Sequence, residues 1–313
     1  MRVLEESGLL ERLRRIEARD ATVGELSLVH DRRYVEAVKR VADDGGGWVD
    51  PDTLIMSRSY DAAARASGGA LAALDGNLDG RIRSAFCLLR PPGHHAEPAQ
   101  AMGFCIFNSV AIAAATARTK HGLDRIAIVD FDVHHGNGTQ DVFYADPSVL
   151  YVSTHQFPFY PGTGAAAETG AGVGQGYNIN VPLRAGCGDQ TYARVFQEIV
   201  MPALDRFAPQ LIVVSAGYDA HFADPLAGQQ LSVDGYGRLV SMIAASADRW
   251  CEGRILFALE GGYDLVALPW CIRRTLEMLL GTAPTPDPLG TVDAPPPASL
   301  EALIAEVKRL HDL

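Results

Sequence analysis

The stretch RIAIVDFDVHHGNG, residues 125–138, joins an aliphatic run directly to a cluster of ionisable and metal-binding side chains. The run shows no alternation of apolar and polar positions, which is typical of a strand buried on both faces of a parallel sheet. In open parallel sheets, ligand sites gather beyond the carboxyl ends of the strands. The stretch therefore predicts a buried strand with half of a functional site at its end.

Four more short aliphatic runs have the same character, and segments of helical length lie between them. The runs cover residues 84–89, 149–154, 210–217 and 254–262, and the helical segments cover about 32–44, 57–75, 106–121, 189–206, 234–251 and 265–280. Asp189 and Asp234 are predicted helix N-caps. This order predicts a doubly wound α/β sheet in a single domain.

The composition changes after Gly281, where TAPTPDPLGTVDAPPPA is too rich in proline for regular structure. We expect a main domain over residues 1–281, a linker over 282–298 and a C-terminal helix over 299–313. The first twenty residues are charged throughout, which is atypical of a signal peptide.

The composition of the 313 residues, 48% hydrophobic and 21% charged, is that of an ordinary globular protein. The net charge of −11 argues against nucleic-acid binding and is compatible with cationic substrates such as amines. The five cysteines include no C-x-x-C pair, which favours a reducing, cytoplasmic compartment over a disulfide framework. No stretch approaches eighteen consecutive apolar residues, so we expect no membrane span.

The residue types at the strand ends suit a divalent metal ion. Asp132 and His134 are two positions apart and point to the same side of an extended segment, and Asp219 follows another strand. Two carboxylates and one imidazole leave open coordination positions, as a catalytic metal requires, and suit zinc, iron(II), cobalt or manganese. Asp130 is either a fourth ligand or a residue that orients a histidine from behind.

The tandem pair His94–His95 suits proton transfer beside a metal-activated water. Asp130 and Asn137 are candidate orienting partners for these rings. An aspartate partner favours the imidazolium more strongly than an asparagine does, so the two pKa values would separate and the two histidines would take different roles. The ordinary alternative is that one histidine only caps the preceding turn.

Aromatic residues beside glycines are candidates for the rest of a site. Tyr263 follows two glycines at a strand end and could donate a hydrogen bond to an oxyanion, although a buried tyrosine is more often part of a core. Phe157, Phe159 and Tyr160 in HQFPFYPGTG, and Phe104 in MGFCIFN, line an apolar channel or simply pack in the interior.

Six motifs occur in the order found in histone deacetylases and related bacterial amidohydrolases, and the chain resembles that family from about residue 25 to residue 280. The motifs are RPPGHHA, GFCIFN, VDFDVHHGNGTQDVFY, FPFYPGTG, SAGYDAHFADPLAG and LEGGYD. RPPGHHA and Asn137 resemble the class II branch. The resemblance implies the arginase–deacetylase fold, in which helices flank an eight-stranded parallel sheet, and it implies zinc-dependent hydrolysis of acyl amides.

The resemblance also implies roles for individual positions. It assigns zinc binding to Asp132, His134 and Asp219, and catalysis to His94, His95, Asp130, Asn137 and Tyr263. It assigns substrate contacts to Gly103, Phe104, Tyr160, Leu226 and the rim residue Asp52. It assigns one potassium site to Asp130, Asp132, His134, Ser153 and Thr154, and a second to Phe143, Asp146, Val149 and Tyr177.

Two features depart from the family pattern. Relatives usually begin with a strand and a His-Pro-Glu-like loop before the segment resembling MRVLEESGLLERL, so either the first strand is missing from this sheet or Met1 is a misassigned start. Polyamine deacetylases of the family tend to carry a rim glutamate where Leu226 stands here, which favours lysine-type or neutral acyl substrates.

We therefore predict a zinc-dependent amidohydrolase that removes an acyl group, such as acetyl, from a lysine-like amine, with potassium as a further ion. Deacylation of acetylpolyamines and silent binding of acyl ligands are the alternatives. Arginase-type chemistry is disfavoured, because His135 and Gly136 stand where a second metal would need an aspartate. We expect no nucleic-acid or membrane partner, and leave a homo-oligomer open.

Overall fold

The computed structural model describes residues 2–313, in which helices cover both faces of a parallel sheet. The strands are β1 Gly46–Asp50, β2 Thr53–Met56, β3 Ser84–Cys87, β4 Ile126–Asp130, β5 Val149–Gln156, β6 Asn178–Leu183, β7 Leu211–Ala216 and β8 Ile255–Leu259. The sheet has the strand order β3-β8-β7-β4-β5-β6, and all of its neighbours pair in parallel. Strands β1 and β2 form a separate antiparallel hairpin.

Helices fill most of the connections between the strands. They are α1 Arg2–Glu6, α2 Val23–Leu26, α3 Arg32–Asp43, α4 Ser59–Leu78, α5 Ser109–Thr119, α6 Asn137–Phe143, α7 Asp189–Val195, α8 Met201–Phe207, α9 Val233–Trp250, α10 Ala267–Leu279 and α11 Leu300–His311. A π-helical turn, Phe196–Val200, joins α7 to α8, and 3₁₀ turns cover Leu9–Arg12 and Gly172–Gly174.

Strand β4 is buried on both faces, and its side chains alternate between two apolar cores. Ile126 and Ile128 belong to the core that contains residues of α4 and α5. Ala127 and Val129 belong to the core that contains residues of α9, α10 and α11. This double burial is the physical reason for an uninterrupted aliphatic run in the sequence.

The prediction of an α/β fold with a parallel sheet is confirmed, and each of the five aliphatic runs contains one of its strands. Within residues 2–313 the sheet has six strands, not the eight expected from the resemblance. Strand β6 and the hairpin were not predicted. The β6 sequence NINVPL contains two asparagines and a proline, and β1 begins with two glycines, so neither shows an aliphatic run.

Both predicted N-caps are wrong. Helix α7 starts at Asp189 itself, whose carboxylate instead accepts hydrogen bonds from the backbone N–H and the hydroxyl of Ser232 at 2.9 and 2.6 Å. Ser232 is the cap of α9 and accepts a hydrogen bond from the Gly235 N–H at 3.0 Å. Asp234 lies in the first turn of that helix. The contact between Asp189 and Ser232 therefore joins the starts of the two helices.

The C-terminal helix α11 lies within the predicted segment 299–313. Leu300, Ile304 and Val307 bury their side chains in the same core as α9 and α10. Between residues 2 and 313, no helix combines the length and the apolar character needed to cross a membrane.

The topology brings the polar strand ends together. Asp130, the last residue of β4, is in register with Ser153 on β5 and with Ser215 on β7. Strands β3 and β8 are neighbours, and the loops that follow them carry His94 and Tyr263. The carboxyl edge of a parallel sheet is where such loops form a ligand site.

Candidate active site

Asp132, His134 and Asp219 meet in a cluster at this edge. One potential ligand atom from each residue lies within 4.8 Å of the other two. His134 Nδ1 lies 3.1 Å from Asp132 Oδ1 and 3.2 Å from Asp219 Oδ2. Asp132 and His134 follow β4, and Asp219 follows the neighbouring strand β7. Loops after two adjacent strands therefore assemble the predicted metal group.

The chemistry of this group fits a divalent cation. Asp219 Oδ2 is buried and has no well-aligned hydrogen-bond partner in the part of the chain that the structure describes. Burial and the charge of Asp132 raise the pKa of Asp219 to about 6, as expected for two crowded carboxylates. Burial alone would lower the pKa of His134, but its contacts with both carboxylates raise it to about 10. Binding of a metal ion by this group would therefore displace a proton.

Two glycines make room for the cluster. A Cβ atom at Gly217 would lie 2.0 Å from Asp132 Oδ2, and one at Gly261 would lie 2.0 Å from Asp219 Oδ2. The Gly261 N–H donates to Asp132 Oδ2 at 2.8 Å, and the Val133 N–H donates to Asp219 Oδ1 at 3.0 Å. Backbone donors therefore fix one oxygen of each carboxylate, and the other oxygen lies beside the imidazole.

His94 has a carboxylate directly behind it. Its Nδ1 lies 3.1 Å from Asp130 Oδ2, which also accepts a hydrogen bond from the Tyr151 hydroxyl at 3.1 Å. Its Nε2 lies 3.8 Å from Asp132 Oδ1. Burial lowers the pKa of His94, but the charges of Asp132 and Asp130 outweigh burial and raise this pKa to about 10. His94 is therefore the positively charged member of the pair.

His95 has a neutral partner in the equivalent position. Its Nδ1 lies 2.8 Å from Asn137 Oδ1, and its ring centroid lies 4.0 Å from that of His94. Burial and the positive charge of His94 hold the pKa of His95 well below its usual value. The two adjacent imidazoles therefore differ in charge at neutral pH.

Glu260, to which the sequence motifs assigned no role, holds the histidine loop in place. Its buried Oε2 accepts hydrogen bonds from the backbone N–H groups of Gly93 and His94 at 2.6 and 3.1 Å. Its backbone oxygen accepts a hydrogen bond from the Arg90 side chain at 3.0 Å. The available signal was a carboxylate at the end of the run RILFALE, the same pattern that pointed to Asp130.

Tyr263 enters the site from the loop after β8. Its backbone N–H donates to Asp224 Oδ2 at 2.7 Å. Its ring packs edge-on against Phe104, with centroids 6.1 Å apart, and lies 5.6 Å from the guanidinium carbon of Arg90. Burial and the charge of Asp219 raise the pKa of the phenol, which keeps the hydroxyl protonated and able to donate a hydrogen bond.

A pocket of about 190 Å³ connects these side chains to solvent. The residues that line it are Asp52, Pro92, His94, His95, Gly103, Phe104, Asp132, His134, Tyr160, Leu226, Gly261 and Tyr263. Phe159 adds to this region by stacking on His134 with ring centroids 5.4 Å apart. Phe157, grouped with these aromatics on sequence grounds, instead lines a separate groove beside Pro182 of β6.

Asp52, expected at the substrate rim, is engaged within the protein. Its Oδ1 accepts hydrogen bonds from the Gly103 N–H at 2.9 Å and from the Thr53 hydroxyl at 2.7 Å. The Thr53 hydroxyl oxygen in turn accepts a hydrogen bond from the Phe104 N–H at 3.1 Å. The β1–β2 hairpin thus anchors the Gly103–Phe104 wall of the pocket, and contact of Asp52 with substrate stays a prediction.

The histone deacetylase domain matches residues 1–279 of this chain. The chain belongs to the histone deacetylase family. The predicted arginase–deacetylase fold and the predicted class, a hydrolase of the deacetylase type, are confirmed by this membership.

Similar members of the family come from distant organisms. The histone deacetylase-like amidohydrolase of Pseudomonas aeruginosa is 44% identical over 282 residues, which cover 89% of this chain and 74% of that protein. A probable deacetylase of Archaeoglobus fulgidus is 43% identical over 270 residues, covering 85% of this chain and 75% of that protein. A crystal structure of the HDA15 HD domain matches 98% of this chain and 84% of that chain, with a TM-score of 0.91 and 37% identity.

The first potassium group predicted for this histone deacetylase family member adjoins the metal cluster. Ser153 and Thr154 lie on β5, and Ser153 is in register with Asp130. Thr154 Oγ1 is buried and finds no hydrogen-bond partner among residues 2–313, whereas Ser153 Oγ lies 2.9 Å from His155 Nδ1. Potassium binding at this group stays a prediction.

The second predicted potassium group lies at the opposite end of β5, where Val149 begins the strand. The Asp146 carboxylate is paired with Arg118. The backbone oxygens of Phe143 and Tyr177 accept hydrogen bonds from other backbone N–H groups, at 3.0 and 2.9 Å. A potassium ion here would therefore share oxygens that already have donors, and this assignment also stays a prediction.

His135 belongs to a buried polar network behind the site. The sequence had indicated only that this position lacks the aspartate that a second metal would need. His135 Nδ1 lies 2.8 Å from Thr163 Oγ1, and its Nε2 lies 3.0 Å from Gln140 Oε1. Gln140 Nε2 donates to Glu168 Oε2 at 2.6 Å. The network ties α6 to the loop that carries Phe159, so His135 supports the pocket wall.

Proposed function

We propose that this protein is a zinc-dependent deacylase that hydrolyses the amide bond between an acetyl or similar acyl group and a lysine-like amine. The observation that carries the proposal is the convergence of a carboxylate–imidazole cluster, two differently charged histidines and a phenol on one pocket. Relatives described as a histone deacetylase-like amidohydrolase and a probable deacetylase support the reaction class. Potassium beside Asp130 and Ser153 is part of the same proposal.

Asp132, His134 and Asp219 would hold the zinc ion, which when bound supplies a Lewis acid for the amide carbonyl and lowers the pKa of water. The same two carboxylates and imidazole also suit iron(II) or cobalt. The backbone donors Gly261 and Val133 hold the carboxylates in place before any ion binds.

His95 takes a proton from the attacking water. Asn137 Oδ1 accepts the hydrogen on His95 Nδ1, which leaves Nε2 unprotonated and able to act as the base. The same Nε2 then returns the proton to the departing amine. His94, held positive by Asp130, stabilises the negative charge that develops in the transition state.

Tyr263 donates a hydrogen bond to the oxyanion that forms from the substrate carbonyl. One such donor typically contributes roughly 10²- to 10³-fold to kcat. The contact with Phe104 on one side and Arg90 on the other holds the ring in place at the pocket.

The pocket mouth suits a neutral alkyl chain. Phe104, Tyr160 and Leu226 are 46%, 36% and 42% exposed, so apolar surface is available to the methylene groups of an acylated lysine. Leu226 places no negative charge at the rim, which disfavours acylated polyamines relative to acyl-lysine peptides. Acetylpolyamine hydrolysis is the runner-up activity.

The test is hydrolysis of fluorogenic acetyl-lysine peptides by the zinc-loaded protein, with propionyl and longer acyl groups and with monoacetylputrescine alongside. We expect acetyl-lysine turnover to exceed acetylputrescine turnover. Tyr263→Phe is expected to lower kcat by roughly 10²- to 10³-fold with unchanged zinc content. Tyr60→Phe is the matched control, because Tyr60 packs against Phe107 outside the pocket.

Two outcomes would reject the proposal. Absence of turnover with every acyl length, with wild type no better than Tyr263→Phe, rejects deacylation. If a hydroxamate then binds tightly without any turnover, the protein is a silent acyl-ligand binder. Preference for acetylputrescine would mean that the activity is hydrolysis of acetylpolyamines.

A further inference from the structure

One half-buried carboxylate outside the proposed mechanism touches a residue of that mechanism from behind. Glu97 Oε1 accepts a hydrogen bond from Asn137 Nδ2 at 2.8 Å. We propose that Glu97 is a positioning residue that fixes the orientation of the Asn137 amide and, through it, the tautomer of His95. The inference rests on the proposed function, in which His95 is the base.

The orientation of the amide matters because its two ends have opposite hydrogen-bonding character. An asparagine oxygen only accepts, and its nitrogen only donates. If Oδ1 faces His95, Nδ1 carries the ring hydrogen and Nε2 is free to accept a proton. If Nδ2 faced His95 instead, Nδ1 would have to accept, and Nε2 would carry the hydrogen. Only the first arrangement gives a base that faces the substrate.

Glu97 selects the first arrangement, since a carboxylate offers only acceptors. The second hydrogen of Asn137 Nδ2 also meets an acceptor, because Met102 Sδ lies 3.3 Å away. Turning the amide by half a rotation would place Asn137 Oδ1 against both acceptors. It would also break the charge-assisted hydrogen bond to Glu97, which is the stronger of the two.

The backbone of Glu97 is held on both sides, so the carboxylate is delivered to a fixed position. Its N–H donates to the Gln100 oxygen at 3.0 Å, and its carbonyl oxygen accepts a hydrogen bond from His30 Nδ1 at 2.9 Å. Asn137 itself is only 6% exposed, so water has little access to the amide. The hydrogen-bonded series His95–Asn137–Glu97 is therefore held in one arrangement.

Of the two histidines, only His95 needs a third residue to orient its hydrogen-bond partner. Asp130, the partner of His94, accepts through either oxygen, so no third residue has to orient it.

The experiment uses zinc-loaded full-length protein labelled with ¹⁵N-histidine, whose long-range ¹H–¹⁵N correlations distinguish Nδ1–H from Nε2–H rings. The variants are Glu97→Leu and Glu97→Gln, with the exposed Glu252→Leu as control. In Glu97→Leu we expect the Nε2–H form of His95 to appear and kcat to fall by about 10- to 100-fold, with KM nearly unchanged. Glu97→Gln keeps an acceptor oxygen, so its tautomer population and kcat should lie between those of wild type and Glu97→Leu.

The inference is overturned if Glu97→Leu keeps the wild-type tautomer and the kcat of the control. It is also overturned if that variant only melts at a lower temperature, because a purely structural role would not change the tautomer. A wild type without turnover whose His95 tautomer still responds to Glu97 would support the positioning role and reject the proposed function. The two failures are thus distinguishable.

Discussion

The carboxylate of Glu260 and the backbone N–H of His94 are 166 residues apart in the chain and are joined by a hydrogen bond of 3.1 Å. The same Oε2 accepts the Gly93 N–H, so the end of β8 fixes the loop after its neighbour β3. Burial raises the pKa of Glu260 to about 7, so the carboxyl is partly protonated at neutral pH.

Two substitutions of Glu260 distinguish the effect of its hydrogen bonds from the effect of its charge. Glu260→Gln keeps an acceptor for both N–H groups and resembles the protonated acid, so we expect nearly wild-type stability and activity. Glu260→Ala leaves both N–H groups buried without a partner, at a cost of roughly 1–3 kcal/mol each in the free energy of unfolding. Urea unfolding and kcat for an acetyl-lysine peptide measure the effect. Equal stability of the two variants would contradict this role.

The metal cluster gives a prediction that needs no substrate. Asp219→Asn removes the negative charge beside His134, so zinc affinity should fall by more than about 100-fold, since outer-shell changes alone cost roughly 10- to 100-fold. Competition with a chromophoric chelator measures the affinity. Asp248→Asn is the control, because Asp248 pairs with Arg83 at the surface. If both variants retain zinc equally, the cluster is not the zinc site.

The parts of the site that lie next to a buried strand in sequence could be predicted from the sequence. Asp130, Asp132 and His134 directly follow an aliphatic run, and parallel strands deliver such residues to one edge. Asp219 and Tyr263 follow two other aliphatic runs, and the family motifs then assigned their roles. The fold followed from the same runs, because double burial leaves an uninterrupted apolar pattern.

The supporting contacts could not be predicted in this way, because they join residues that nothing in the local pattern connects. Glu260 and Glu97 act through hydrogen bonds to distant segments. Glu260 ends an aliphatic run, which marks its position but not its partners, and Glu97 follows no such run. Strand β6 was missed since Asn178 and Asn180 stand where aliphatic residues were sought. Their side chains donate to Gln140 Oε1 at 2.9 and 2.7 Å, which explains polar residues inside a buried strand.

Gly103 provides a steric test of how closely the pocket wall packs on the base. It has a φ of +58°, and a Cβ atom there would lie 2.3 Å from His95 Cδ2. Gly122 has a similar φ of +69°, but its Cβ would meet nothing within 4 Å. Alanine at either position should cost about 1–2 kcal/mol of backbone strain. Only Gly103→Ala should also displace His95, and a shift of about 1 Å can cost roughly 10²-fold in rate.

Unfolding free energies and kcat/KM of Gly103→Ala and Gly122→Ala measure these two effects separately. We expect a larger loss of stability in Gly103→Ala than in Gly122→Ala, because only the first adds a clash, and a loss of activity in Gly103→Ala alone. Equal activity in the two variants would mean that the Gly103–Phe104 wall shifts without displacing His95.

His30 makes stability depend on pH, because it is buried and one of its two hydrogen bonds requires the neutral ring. Its Nδ1–H donates to the Glu97 carbonyl oxygen at 2.9 Å, and its Nε2 accepts the Asn108 N–H at 2.9 Å. Burial lowers the pKa of His30 from 6.5 to about 4, and protonation would also set an Nε2–H donor against the Asn108 N–H. The unfolded chain takes up this proton first as the pH falls.

The contribution of His30 to stability is therefore complete above pH 6.5 and is lost as the pH falls towards 4. Between about pH 7.5 and about pH 5, protonation of the unfolded chain should remove about 2 kcal/mol of unfolding free energy. His30→Gln retains a donor and an acceptor but cannot titrate, so its stability should fall by about 2 kcal/mol less over that interval. Urea unfolding of both proteins in EDTA, where the metal cluster contributes equally, measures the difference. Parallel pH dependences would show that His30 does not stay neutral in the folded protein.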